Sequence, residues 1–392
     1  MLHLAWCSPF PAERSGIADY SVDMVEAISE FAKVTLFVND PAVFDVPSLN
    51  HLPRYPIESL SQHRFGFDLP IYQMGNHLIH QKIYEQAIAV PGVVVLHEFW
   101  LQIFLHQITL NQQQPAAYFR EAIYESPPAA FASTTQKIYP DINRPPTDFP
   151  GNQRLINSAI GIMAHSQFVA DQITQASSRP TKTKVIRHYA LPDAEVALWP
   201  DTKDKTIFAC AGLMTSEKQI DKVLDALQQL VENNINAELR IIGEAAENLP
   251  LTAWIHERRL DNHVVVTGFI ESAEAFVSQM AEAHIIINLR QPTVGETSGV
   301  VMRSMAAGRP VIVYDHGWYS ELPDGCLKIE PDSPAALLAA MKNAAADHDR
   351  LKALGKACHA EIQAHYRPEQ VAREMVDWLE KLVADIQYSV DQ

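Results

Sequence analysis

A segment around residue 300 limits the possible folds most strongly, because two short apolar runs enclose a polar loop and a helix-forming stretch. Residues 285–287 and 311–313 are apolar and mostly β-branched. Between them, Thr297 or Ser298 can cap a helix that Gly308 ends. The order strand, loop, helix, strand predicts a buried parallel sheet covered by helices.

The polar loop in this segment has the composition of a ligand site. Arg290 and Glu296 flank the predicted helix start, at the carboxyl end of a strand, where open α/β sheets bind ligands. Free backbone N–H groups and the positive end of the helix dipole favour phosphate or sugar oxygens there. A solvated acid in an ordinary connecting loop is the alternative interpretation.

The same loop resembles a motif of a known enzyme family. Residues 292–299 read PTVGETSG and residues 304–311 read SMAAGRPV, which is similar to the C-terminal donor-binding motif of family 4 glycosyltransferases of the GT-B fold. Glu296 matches the first glutamate of that motif. The second glutamate, which commonly binds ribose hydroxyls in the family, is missing, and Arg303 stands in its place.

Length and charge limit the other possibilities. The 392 residues suit two domains, and the 47% hydrophobic and 20% charged content is that of a globular protein. A net charge of −16, from 47 acidic and 31 basic residues, argues against a nucleic-acid surface. No basic amphipathic stretch is present that would favour more than peripheral membrane contact.

The cysteines and the start of the chain predict the compartment. The four cysteines are scattered without paired spacing, so buried free thiols are expected. The first residues lack a positively charged segment followed by a long apolar run, and no apolar run has the length of a membrane span. A cytoplasmic location is therefore predicted.

The first half of the chain supplies further candidates through the resemblance. Residues 9–20 look like the family's N-terminal glycine loop, which assigns Gly16 to the donor phosphates and Arg14 to the acceptor side. His97 ends an apolar strand, where the family has a histidine that contacts the donor sugar. Asn76 follows the preceding strand and is assigned to the acceptor side. A surface or hydrogen-bonded core histidine is the alternative for His97.

The second half offers a cation for the donor diphosphate. Lys218 is predicted in the first turn of a helix, where the helix dipole disfavours a cation unless an anion is bound. It matches the family's loop lysine, whereas Leu213 replaces the family's arginine. Arg290 or Arg303 could supply the missing charge. The turn at Gly268 and Phe269 resembles the family's place for the nucleotide base.

The sequence thus predicts a GT-B protein with two Rossmann-like, doubly wound α/β domains facing across a cleft. The predicted boundaries are 1–195 for the acceptor-side domain, 196–366 for the nucleotide-sugar domain and 367–392 for a helix that returns to the first domain. The predicted catalytic residues are His97 and Glu296. The predicted donor-binding residues are Gly16, Lys218, Gly268, Phe269, Arg290, Thr297, Ser298, Gly299 and Arg303.

The resemblance implies a retaining, metal-independent glycosyltransferase that moves a sugar from a nucleotide-sugar to a glycan, lipid-linked or small-molecule acceptor. No cofactor or nucleic acid is expected. No metal is expected either, because no Asp-x-Asp pair is seen on a predicted loop and no cluster of metal ligands is evident. Two alternatives remain open at this point. One is a catalytically silent glycan- or nucleotide-binding subunit, and the other is a GT-B epimerase or phosphorylase. The sequence leaves the sugar, the nucleotide, the acceptor and the oligomeric state undefined.

Overall fold

The chain divides into two compact units in the computed structural model, which describes residues 1–13, 15–125, 149–177, 180–191, 196–202 and 204–390. The first unit comprises Met1–His188, Val294–Thr297 and Pro368–Gln392. The second comprises Tyr189–Thr293 and Ser298–Arg367. The predicted acceptor-side residue Arg14 lies outside the described residues.

The first unit is built on a parallel sheet whose described strands follow the order β3-β2-β1-β4-β5-β6-β7. The strands are β1 (His3–Cys7), β2 (Lys33–Val38), β3 (Arg54–Pro56), β4 (Leu69–Met74), β5 (Val93–Leu96), β6 (Gly161–Ala164) and β7 (Lys182–Val185). The helices are α1 (Gly16–Ile28), α2 (Gln81–Ala89), α3 (Gln102–Ile108), α4 (Pro115–Glu125), α5 (Gln153–Ser158), α6 (Gln167–Ala176) and α13 (Pro368–Val390). β1, β4, β5 and β6 are almost entirely buried, as continuous apolar runs predict for a sheet covered on both faces.

The last helix belongs to the first unit. α13 packs along α1, and its Trp378 and Leu382 lie against Gly161 in β6. A Cβ at Gly161 would stand 2.8 Å from the Trp378 ring, so the close approach of helix and strand requires glycine.

The second unit has a smaller parallel sheet, with described strands in the order β10-β9-β8-β11-β12-β13. The strands are β8 (Thr206–Ala211), β9 (Ala237–Ile242), β10 (Val264–Val266), β11 (Ile285–Ile287), β12 (Val311–Tyr314) and β13 (Leu327–Ile329). The helices are α7 (Ile220–Glu232), α8 (Leu251–Glu257), α9 (Ala273–Ala281), α10 (Gly299–Ala306), α11 (Pro334–Ala346) and α12 (His348–His365).

The helix predicted between residues 297 and 308 is present and is capped as the sequence indicates. The Ser298 hydroxyl oxygen accepts a hydrogen bond from the Val301 N–H at 3.3 Å. The helix ends at Ala306, and Gly308 has a φ of +71°. A Cβ on Gly308 would come within 2.3 Å of Val196, so glycine is needed there for packing as well as for conformation.

The strand order gives each unit a topological switch point. In each sheet the chain first adds strands on one side of the first strand and then returns to add the rest on its other side. The switch points lie between β1 and β4 in the first unit and between β8 and β11 in the second. Open α/β sheets bind ligands at the carboxyl ends of the strands at such points. The loops after these four strands are therefore the expected positions of a ligand site.

Two further expectations can be compared with the structure. All four cysteines, Cys7, Cys210, Cys326 and Cys358, are buried and free, which confirms the prediction of free thiols. Over the part of the chain that the structure describes, no helix has the length and apolar character needed to cross a membrane.

Candidate functional site

The loop after β8 places a lysine beside the switch point of the second unit. Lys218 ends a short 3-10 turn (Ser216–Lys218), and Gln219 then adopts a left-handed φ of +49° before α7 begins. The prediction that Lys218 lies in the first turn of the helix is therefore wrong, because the left-handed residue separates the turn from the helix. Its Nζ donates a hydrogen bond to the Ala211 carbonyl oxygen at the end of β8.

The surroundings of Lys218 are unfavourable to its charge. Burial, with a smaller contribution from Arg290, lowers the pKa of the Lys218 ammonium to about 8. A cation in such surroundings is stabilised when an anion binds beside it, because the attraction between opposite charges is stronger where water is excluded. Lys218 and Arg290 thus form a cationic pair that suits a diphosphate.

Neighbouring loops bring other predicted donor residues to the same edge of the sheet. The Gln291 N–H donates to the Glu217 carbonyl oxygen at 2.9 Å, which ties the loop after β11 to the loop of Lys218. The Arg290 carbonyl oxygen lies 2.8 Å from Nε2 of His316, which follows β12. Three adjacent strands therefore contribute loops to one polar surface, which also includes a histidine that the sequence analysis did not single out.

Glycines allow these loops to approach closely. Gly212 has a φ of +88°, and a Cβ there would lie 2.9 Å from the Lys218 Nζ and 3.6 Å from Val300 at the start of α10. Gly243, after β9, passes so near that a Cβ would meet the Gly212 carbonyl oxygen at 2.4 Å. Larger residues would push the Lys218 loop away from the N-terminus of α10.

The start of α10 offers open N–H groups beside a second arginine. A Cβ on Gly299 would meet only the Arg303 guanidinium, at 3.9 Å, within 4 Å. The exposed Arg303 side chain thus folds back toward the helix N-terminus, where it adds positive charge to the helix dipole. Thr297, next to the Ser298 cap, belongs to the first unit.

The predicted base-binding turn is separate from these cations but lies on the same side of the sheet. Gly268 follows β10 with a φ of +74° and open space around its Cα. Phe269 is 58% exposed. The Thr267 hydroxyl accepts the Gly243 N–H at 3.1 Å, which links this turn to the glycine loops.

In the first unit, Gly16 opens α1 after the first strand. The Ser15 hydroxyl caps the helix by accepting the Ile17 N–H at 3.2 Å. Among the described residues, no atom beyond the glycine's own chain neighbourhood lies within 4 Å of the position that a Gly16 Cβ would occupy. The start of α1 therefore leaves space for a ligand, and the backbone itself does not require glycine there.

Asn76, predicted on the acceptor side, has a structural partner. Its Oδ1 accepts the Phe104 N–H at 2.8 Å and so satisfies a backbone donor in the first turn of α3. Gly75 beside it packs against Ile17, with a Cβ position 2.3 Å from the Ile17 Cδ1 atom. The structure thus brings the loops after β1 and β4 together.

The predicted catalytic residue His97 is buried, and both its ring nitrogens have protein partners. Nε2 lies 2.8 Å from the Gln73 side-chain oxygen. Nδ1 lies 3.2 Å from Nε2 of His165. The Tyr20 ring packs edge-on against the imidazole with 4.8 Å between ring centres. The sequence analysis missed these partners. A signal was present, because three successive strands end close to a histidine, namely His97, His165 and His188.

The carboxylate of the predicted catalytic residue Glu296 accepts a hydrogen bond from the backbone of its own loop. Its Oε2 accepts the Val294 N–H at 2.7 Å. The Val294 carbonyl oxygen accepts the N–H groups of Phe99 at 2.9 Å and Trp100 at 3.1 Å. Gly295, with a φ of +78°, fits between these groups because a Cβ would stand 2.9 Å from Phe99.

Within the described part of the chain, no group of three or more His, Cys, Asp or Glu side chains is arranged to hold a metal ion.

Comparison with known proteins gives this geometry a family context. Residues 204–347 match the model of the family described as Glycosyl transferases group 1. The solved structures that resemble the whole chain include Anabaena Alr3699/HepE in complex with UDP and glucose, with a TM-score of 0.67 and 15% identity over 97% of this chain and 100% of that one. The chain has the GT-B fold. The prediction of two Rossmann-like α/β domains is confirmed.

Two other relatives extend the comparison. Sucrose-phosphate synthase from Thermosynechococcus elongatus has a TM-score of 0.66 and 16% identity over 98% of this chain and 100% of that one. A segment of 113 residues, 29% of this chain, is 29% identical to the GDP-mannose-dependent alpha-(1-6)-phosphatidylinositol dimannoside mannosyltransferase of Mycobacterium tuberculosis (strain ATCC 25177 / H37Ra). The match spans 28% of the length of that relative.

Proposed function

We propose that the protein is a retaining, metal-independent glycosyltransferase that moves a sugar from a nucleotide-sugar donor to an acceptor hydroxyl. The observation that carries this proposal is the half-buried Lys218 ammonium with Arg290, next to the N-terminus of α10 at the switch point of the second sheet. The family match over residues 204–347 covers this same region.

The proposed chemistry places these groups around the leaving diphosphate. Negative charge grows on the diphosphate as the bond to the sugar breaks, and fixed cations and N–H donors stabilise that charge most in the transition state. Lys218, Arg290 and the open start of α10, with Arg303 beside it, would supply this stabilisation. This is the role that a divalent metal has in metal-dependent transferases, and no protein nucleophile is proposed.

The nucleotide is proposed to be a uridine or guanosine diphosphate. The similar Anabaena structures are complexes with UDP and glucose or with UDP-glucose, and the mycobacterial relative is a GDP-mannose-dependent mannosyltransferase. The turn at Gly268 and Phe269 would hold the base, and Gly16 would leave room for the phosphates. Glu296 and His97 are proposed to hold and orient the donor sugar, with Thr297 and Ser298 beside them, while Arg14 and Asn76 are proposed for the acceptor side.

The proposal is tested by incubating the protein with UDP-glucose and GDP-mannose in the presence of EDTA, with water or methyl glycosides as acceptor. We expect one donor to be consumed, with release of its nucleoside diphosphate, and the first-formed sugar to keep the anomeric configuration of the donor in proton NMR spectra. An inverted anomer would refute retention, and loss of turnover in EDTA would refute metal independence. Binding of a donor without turnover would indicate a catalytically silent binding subunit instead of an enzyme.

The substitution Gly16→Ala should separate function from stability. The added methyl group meets no atom of the described residues within 4 Å beyond its own chain neighbourhood, and alanine is a better helix residue than glycine by up to about 1 kcal/mol. The melting temperature should stay equal or rise, whereas kcat/KM should fall about 10-fold or more if a substrate occupies that space.

Gly66→Ala is the matched control for this substitution, because a Cβ at Gly66 also meets nothing within 4 Å and Gly66 lies outside the proposed site. Enzyme kinetics and thermal unfolding of both variants make the comparison. Unchanged kinetics of Gly16→Ala would remove Gly16 from the donor site.

A further inference from the structure

Side chains from neighbouring strands form a row of hydrogen bonds at the carboxyl edge of the first sheet. The parallel register aligns Leu96 with Ala164 and Ala164 with Val185. The residues that follow, His97, His165 and Ile186, therefore stand side by side. Gln73, in the adjacent strand β4, reaches His97 from the other side.

The direction of these hydrogen bonds follows from the last partner in the row. The Ile186 carbonyl oxygen can only accept, so Nδ1 of His165, at 2.9 Å, must carry a proton and donate. In a neutral His165 ring, Nε2 is then without a proton. It can only accept from Nδ1 of His97, 3.2 Å away.

The Gln73 amide must supply a donor to the other nitrogen of His97. If Nδ1 of His97 carries the proton of a neutral ring, Nε2 has only a lone pair and needs a donor. The atom of Gln73 that faces it at 2.8 Å is the amide oxygen, which cannot donate. Turning the amide by 180° presents the NH₂ group instead, and the hydrogen-bond network decides between the two orientations. The amide nitrogen loses nothing by this turn, because in its present position it is buried and has no hydrogen-bond partner within the described residues.

The imidazole rings of His97 and His165 are both held in the neutral form. Burial, and then the neighbouring His165 and His188, hold the pKa of His97 well below its ordinary value. Burial lowers the pKa of His165 to about 3. The Tyr20 ring packs against both imidazoles, with ring centres 4.8 Å from His97 and 5.5 Å from His165, and restricts their rotation.

We propose that Gln73 and His165 are positioning residues that hold His97 as the neutral tautomer with its proton on Nδ1 and a lone pair on Nε2. The tautomer of a histidine is set by the partner of its other nitrogen. The Nε2 atom can then accept a hydrogen bond from a hydroxyl group, such as a sugar hydroxyl that displaces the Gln73 amide, but it cannot donate one. This consequence for catalysis rests on the proposed function, whereas the tautomer does not.

The first test reads the tautomer directly, by long-range proton–nitrogen correlation NMR of protein labelled with ¹⁵N-histidine at pH 7. Protonated and bare ring nitrogens have well-separated nitrogen shifts, and the His97 signals are assigned by their loss in His97→Asn. We expect a protonated Nδ1 and a bare Nε2 in the wild type. A proton on Nε2, alone or together with one on Nδ1, would overturn the proposal whether or not the protein transfers sugar.

Variants then test each partner separately. Gln73→Glu replaces the amide by a group that only accepts, so both nitrogens of His97 should become protonated, whereas Gln73→Met leaves the ring neutral. His165→Phe removes the acceptor for Nδ1 and should shift the proton away from it. His165→Gln restores an acceptor oxygen and should restore the tautomer. An unchanged His97 spectrum in both Gln73→Glu and His165→Phe would contradict the assignment of positioning roles.

Kinetics connect the tautomer to the reaction. Gln73→Glu should lower kcat by about 100-fold, the typical cost of a misplaced reacting contact, with the KM for the donor unchanged. His165→Gln should recover more of the activity than His165→Phe, although both change the same core position. If the tautomer is as expected but the wild type transfers no sugar, the proposed function fails and the positioning roles stand.

Discussion

Replacing Lys218 by methionine is expected to lower kcat/KM for the nucleotide-sugar by about 10²–10³-fold, the usual cost of removing one donor to a developing negative charge. Methionine keeps most of the length of the side chain, so the loop after β8 should keep its conformation. The stability should change little, because removal of a charge that burial opposes offsets the lost hydrogen bond to the Ala211 carbonyl oxygen. Steady-state kinetics and thermal unfolding of the variant give both quantities.

The pH dependence of Lys218 provides an internal check on this result. The pKa of its ammonium is lowered to about 8, so the free enzyme loses this charge as the pH rises through 8, and kcat/KM should fall with it. A bound diphosphate favours the charged form, so kcat at saturating donor should be less affected. Lys218→Arg keeps its charge throughout this range and should not show the fall. An equal fall in Lys218→Arg would show that another group titrates.

Replacing Arg309 by methionine should cause the largest loss of stability, about 3–5 kcal/mol, because several carbonyl oxygens bonded to the buried guanidinium would lose their donor at once. Arg309 is fully buried. Its guanidinium donates to the carbonyl oxygens of Ala281, at 2.6 Å and 2.9 Å, and of Ala197, at 3.2 Å and 3.3 Å, and it also bonds to Leu198. It therefore fastens the segment around residues 197–199 to the end of α9, and chemical denaturation measures the loss.

Two controls separate this role from charge alone. Arg309→Lys keeps a cation but loses the planar fork that reaches several carbonyls, so it should recover only part of the stability. Arg258→Met removes an arginine of the same unit from a partly exposed pair with Asp225, at 2.7 Å, and should cost about 1 kcal/mol or less. Equal losses in Arg309→Met and Arg258→Met would contradict the account of Arg309.

The fold was predictable from the sequence because its signals are local. The apolar run at 285–287 and the Ser298 cap appear in the structure as β11 and the start of α10. Such features depend on side-chain patterns within a few residues. The place of Lys218 was not predictable in this way, since Gln219 adopts a left-handed conformation that nothing in its side chain demands.

The partners of the site residues were not predictable either, because they come from distant segments. Gln73 and His165 reach His97 only through the register of β4, β5 and β6. Arg309 sits in a motif that the sequence analysis associated with the donor site, yet its contacts are to the backbone of distant segments. Contacts of this kind depend on tertiary packing, which one sequence without an alignment does not reveal.

The central claim is that the second unit holds the diphosphate of a nucleotide-sugar. Its most direct test is thermal unfolding of the wild type, Lys218→Met and Lys222→Met with UDP, GDP, ADP or dTDP. Lys222 is the matched control because it lies one turn further along the chain in a surface ion pair with Asp332. At about one hundred times its dissociation constant, the correct nucleotide should stabilise the wild type and Lys222→Met by about 2.7 kcal/mol. The same concentration should not stabilise Lys218→Met. If no nucleotide stabilises the wild type, or if Lys218→Met responds as strongly, the proposed donor site is contradicted.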